Sequence, residues 1–153
     1  MGFTGAGISP TTVTTTQQAP LGFVLTVPDG DNGLQEWVYV QMTGGASVVG
    51  GVVEHSTTPF VVAAGAATTT RASCAGVSQH IIAQDSYGFV LRKGVGTVKA
   101  DGSVTGAADI TPAATAQVTD LTGSTSYHRV IGVALATDTG AGTTVSAILD
   151  CGA

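Results

Sequence analysis

The residues that could do chemistry in this chain are few and scattered. Asp29, Asp31 and Gly33 have the spacing of the first half of a calcium loop, in which alternate carboxylates and a glycine turn converge on one cation. A full loop supplies a bidentate acid at its twelfth position. Here that position is Val40, and a tight hairpin turn explains the same cluster, since Asn and Gly accept positive φ. His80 with Asp85 and nearby serines, or His128 with Asp120 and Ser126, supply the side-chain types of a nucleophilic triad. No serine sits in a Gly-x-Ser-x-Gly elbow, and surface or turn roles account for these residues. Gly94-Val-Gly96 is a fragment of a dinucleotide fingerprint without the third glycine or a following helix, so phosphate has nothing to sit on. No catalytic, cofactor-binding or metal-binding residue is expected.

Cys74 and Cys151 lie far apart, outside any CxxC spacing and without nearby histidines, which argues against zinc. They read as buried free thiols, with a Cys74–Cys151 disulfide left open. Trp37, Tyr39, Tyr87 and Phe89 could form an aromatic platform for a sugar. With aromatics at 5% of the chain, they are needed first in the core or at a subunit interface.

The elements that would position these residues are strands. Glycine (22 residues), Thr, Ala and Val dominate, and the scarcity of Glu, Lys, Leu and Met removes the material of amphipathic helices. The organising stretch is Asp85 to Lys99. In its second half Val95, Thr97 and Lys99 alternate with Gly94, Gly96 and Val98, and Asp101-Gly102 follows as a hairpin signal. Arg129 to Ala136, a Thr/Gly-rich turn over 137–142 and Thr143 to Leu149 read as a second hairpin. Earlier strands are expected over Leu21–Val27 and Gln35–Met42. In the latter Glu36, Val38 and Val40 share one face, and Trp37, Tyr39 and Gln41 the other. One or two strands fit 43–70, with Gly44-Gly45 and Gly50-Gly51 as turns or bulges. A short strand fits 71–84, and a strand with a long loop fits 103–126. No internal repeat stands out.

Residues 1–20 contain no charge and two prolines, with Phe3, Ile8 and Val13 as isolated apolar anchors. They read as an extended arm that binds a partner, with a disordered terminus as the plain alternative. Residues 21–153 form one β-rich domain, an all-β barrel or sandwich. Charged residues are only 10% of the chain and mean hydropathy is +0.36, so much of the surface is expected to be covered by protein. The net charge of -5 is spread without runs, and only Arg92-Lys93 are adjacent bases, which argues against nucleic acid. No apolar window approaches the length of a membrane span, and no basic segment precedes an apolar core near the N-terminus; neither membrane insertion nor secretion by that route is expected.

From Tyr87 onward the chain resembles the capsid decoration, or cement, proteins of tailed bacteriophages. The resemblance is carried by Gly88-Phe89-Val90, by Gly96 to Gly102, by Gly132-Val133-Ala134-Leu135 and by Thr144 to Leu149. It implies a small β-barrel-like body that trimerises on the outer surface of an icosahedral head, stabilises the shell by bridging major capsid protein subunits, and reaches neighbours with terminal arms. It implies no catalytic residues. Residues 1–84 lie outside it, so no docking surface follows from it. A carbohydrate- or receptor-binding module of a head fibre or tail is the second expectation, one that exposed aromatics would support.

Overall fold

The computed structural model describes residues 8–65, 74–121 and 130–151. Its strands are β1 (Val24–Pro28), β2 (Leu34–Met42), β3 (Val52–His55), β4 (Val61–Ala64), β5 (Cys74–Val77), β6 (Tyr87–Lys99), β7 (Asp109–Pro112), β8 (Val118–Asp120), β9 (Gly132–Ala134) and β10 (Thr144–Asp150). Two single 3-10 turns, Gly30–Asn32 and Ala114–Ala116, are the helical elements among the described residues. The all-β expectation holds.

The strands form one sheet in the order β1-β2-β4-β3-β5-β6-β10-β9-β7-β8, and a further β2–β6 pairing closes β2, β4, β3, β5 and β6 into a five-stranded barrel. Closure removes free edges from these strands, and the remaining strands extend the sheet beyond the barrel. β6 makes this possible by its length. Its first half pairs with β2, from Gln41↔Tyr87 to Trp37↔Leu91, and its second half pairs with β10, from Lys93↔Asp150 to Lys99↔Thr144.

Two cores follow from this geometry. Val38, Val40 and Met42 of β2 join Val53, Val62, Ala75 and Val90, one set from the barrel strands, in the smaller core. Trp37, Tyr39, Phe89 and Leu91 face the other way, into a larger core shared with Val98, Ile110, Ile131, Val145 and Leu149. The four successive residues Trp37 to Val40 are therefore all buried although their side chains alternate. The expected facial division of β2 is correct; both of its faces are covered.

β10 alternates strictly, with Val145, Ala147 and Leu149 buried and Thr144, Ser146, Ile148 and Asp150 exposed. It pairs with β9 through Ala147↔Ala134, Ile148↔Val133 and Leu149↔Gly132, which is the expected second hairpin. The first hairpin is not formed. Asp101-Gly102 does turn, with Gly102 at φ 103, but the chain then enters a loop held by carboxylates. Asp101 Oδ1 accepts from Ser103 N–H, Asp138 Oδ2 from Val104 N–H, and both oxygens of Asp120 from Thr105 N–H. Those bonds satisfy backbone that a returning strand would have paired, and β10 takes the ladder instead. Residues 103–121 hold two short strands, β7 and β8, where one was expected, and Val104, Ile110 and Val118 feed the larger core.

Candidate functional site

The residues singled out for chemistry are placed apart. Asp29 to Gly33 connects β1 to β2, and Asp29 Oδ2 accepts from Asn32 Nδ2 at 3.2 Å and Gln35 Nε2 at 3.0 Å. The cluster builds the hairpin that its composition suggested. The ring of His80 lies near Gly88 and Ile82, and neither ring nitrogen has a hydrogen-bond partner, so no bond joins it to Asp85. Burial holds its pKa below the ordinary imidazole value. Ser126 and His128 lie outside the described residues; Asp120 is engaged with Thr105. Gly94 and Gly96 sit within β6, where a Cβ on Gly96 would strike Leu91 Cδ2, so glycine is there for close packing. Among the described residues no cluster of three His, Cys, Asp or Glu could hold a metal ion, and no helix is long and apolar enough to cross a membrane.

Of the aromatics, Trp37, Tyr39 and Phe89 are buried in the larger core, and Tyr87 is half-buried against it. Tyr39 stacks on Tyr87 with ring centroids 6.2 Å apart and meets Phe89 at 5.0 Å. They form one continuous cluster beneath the N-terminal segment.

That segment runs along the body. Ile8, Ala19 and Leu21 pack against the larger core and Val13 against the smaller. Thr14 and Tyr87 exchange backbone hydrogen bonds at 3.0 and 2.7 Å, and Gln18 N–H donates to the Tyr39 hydroxyl at 3.0 Å. Phe3 lies outside the described residues. The outward positions of the segment, Thr11 and Thr15 to Gln18, are exposed and uncharged, presenting hydroxyl and amide groups.

A second surface lies on the outer face of the extended sheet. Val95, Ile148 and Val133 are directly opposed on β6, β10 and β9, with Ile148 49% exposed. Exposed Leu135 adjoins this apolar row through its N–H bond to Ser146. Beside it runs a charged row, Glu36, Lys93 and Asp150. The described residues thus present two distinct surfaces, an uncharged polar strip on the N-terminal segment and an apolar row edged by charge on the extended sheet.

No known protein family matches the chain, and no curated protein is similar to it. A solved phage protein shares the fold. It is the N base of head fiber gp8.5 of bacteriophage phi29, with a TM-score of 0.53 and 12% sequence identity, covering 75% of this chain and 93% of that one. At that identity the likeness is one of fold. It extends well before Tyr87, where the sequence resemblance to decoration proteins begins.

Proposed function

We propose that this chain is a structural protein of a tailed-phage virion that docks on the outer surface of the head. The observation that carries it is the fold shared with a head-fibre base over nearly all of that base. The low charge, the uncharged Thr/Gln strip of residues 11–18 and the apolar row around Ile148 support it, since each suits permanent burial against protein. In the finer form of the proposal, a homotrimer decorates the shell and stabilises it by bridging major capsid protein subunits. Repetition around a trimer offsets the modest affinity of each contact through effective concentration. The test is addition of the purified protein to heads of its own phage that lack it. Co-sedimentation with a rise in the heads' thermal stability is expected, and free protein in the supernatant refutes docking.

The second reading is the base of a head fibre that holds a receptor-binding part. It is favoured by the identity of the structural neighbour. It predicts head binding without shell stabilisation, so the same experiment separates the two. Direct sugar recognition by this domain is disfavoured, because Trp37, Tyr39 and Phe89 are buried and no described aromatic is among the exposed residues.

A further inference from the structure

Cys74 opens β5, and Cys151 follows the last residue of β10. Both are free thiols at 4% exposure in the larger core. They flank the same stretch of β6. Val77 of β5 pairs with Leu91, and Cys151 N–H donates to the Arg92 carbonyl at 2.9 Å. This is where the β2–β6 register shifts, as Glu36↔Lys93 and Trp37↔Leu91 leave Arg92 without a partner residue on β2. Leu91 and Lys93 pair with β2 on one edge of β6, so Val77 of β5 and Asp150 of β10 share the opposite edge, which brings Cys74 and Cys151 to the same part of the larger core. The Cys74 thiol donates to the Gly76 carbonyl at 3.6 Å. The neighbouring Cys151 side chain and burial both push the Cys74 thiol well above its ordinary pKa, which keeps it protonated and slow to react while β10 is docked.

We propose that Cys74 and Cys151 are a reserve dithiol that closes to an intrachain disulfide when the folded protein meets an oxidising low-molecular-weight disulfide. When local opening exposes one thiol, it loses its proton and attacks a sulfur of oxidised glutathione, expelling one glutathione as thiolate. The second cysteine thiolate then displaces the other glutathione, leaving one S–S bond in the protein. Two protein thiols are oxidised, one glutathione disulfide is reduced, and the two released protons end on the glutathione thiols. The new bond ties the end of the final described strand to the barrel wall and closes a loop of roughly 80 residues, which restricts the unfolded chain. In a reducing cell interior the pair stays open, and in an oxidising medium it closes.

The inference is independent of docking on heads, because its test uses the isolated full-length chain. The protein is incubated with oxidised glutathione or with dithiothreitol, alkylated in denaturant, and mapped by mass spectrometry beside its melting curve. Closure predicts loss of both alkylatable thiols, a mass lower by two hydrogens, a Cys74–Cys151 linked peptide, and a Tm higher by about 10 °C that dithiothreitol reverses. Cys151→Ser removes the gain. Two thiols that survive prolonged incubation, glutathione adducts on both cysteines, links between chains, or a cross-link that leaves Tm unchanged or lower would each overturn it. Peptide mapping of the unsubstituted protein decides the case even if Cys151→Ser fails to fold.

Discussion

The hydroxyl of Tyr39, at the centre of β2, accepts a hydrogen bond from the backbone N–H of Gln18 at 3.0 Å. One core residue thereby holds the N-terminal segment on the barrel. Tyr39→Phe keeps the ring and its contacts with Tyr87 and Phe89 and removes only this bond. The expected cost is about 1 kcal/mol in denaturant unfolding, because the freed N–H can turn to water. Limited proteolysis should cleave within residues 8–20 faster than in the unsubstituted protein, with the body intact. Unchanged cleavage would place the hold on Ile8, Val13 and the Thr14–Tyr87 pairing instead.

Gly132 leaves no room for a side chain. A Cβ there would run into the Ile148 carbonyl oxygen on the paired strand and sit 3.1 Å from Leu149 Cα. Since the obstacle is backbone, the strands must separate. Gly132→Ala is expected to destabilise by about 2 kcal/mol, read as a lower Tm.

Ala107 is exposed and adopts φ 68, a conformation that costs an alanine of order 1 kcal/mol and glycine almost nothing. Ala107→Gly should therefore raise stability by up to about 1 kcal/mol in spite of the extra freedom of the unfolded chain. A clear loss on denaturant titration would show that the methyl group makes a contact worth more than the strain.

Two histidines set an acid limit. His55 is held below its ordinary pKa by burial and by the charge of Arg92, and His80 by burial; His55 Nδ1 also accepts from Phe60 N–H at 3.2 Å. Both folded-state values lie below the unfolded value of about 6.5. Above that pH the groups are neutral in both states and contribute no pH dependence. As pH falls below it the unfolded chain takes up protons first, so stability drops until the folded-state pKa is passed. Comparing Tm at about pH 7.5 and pH 5.5, the loss should be smaller in His80→Gln than in the unsubstituted protein. An equal loss would mean that His80 titrates normally.

Much of the strand content was legible because period two survives wherever one face meets solvent, as in β10 and in Val95 to Lys99. A barrel or sandwich was expected, but which strands close the barrel was not legible. Its closure depends on β2 pairing with β6 and, in parallel, with β4, and those pairings join residues far apart through side chains no different from those of any Val-rich strand. Asp101-Gly102 looked like a hairpin because turn chemistry is local, whereas its outcome was decided by Asp120 and Asp138 reaching in from elsewhere. The N-terminal segment read as an arm because it lacks charge and carries few apolar residues; Ile8 and Val13 nonetheless find the chain's own cores. The surface row Val95–Ile148–Val133 was missed because only the register shows that three modest residues are neighbours.

The measurement that bears most directly on the proposed role is a saturation titration of the purified protein onto heads of its own phage that lack it. Bound copies per head would be counted by sedimentation, and genome release followed on heating. Binding that saturates at a fixed number per head, with release shifted to higher temperature, is the predicted result. Heads that pellet without the protein at any concentration would contradict a head-docking role, whatever the fold resembles.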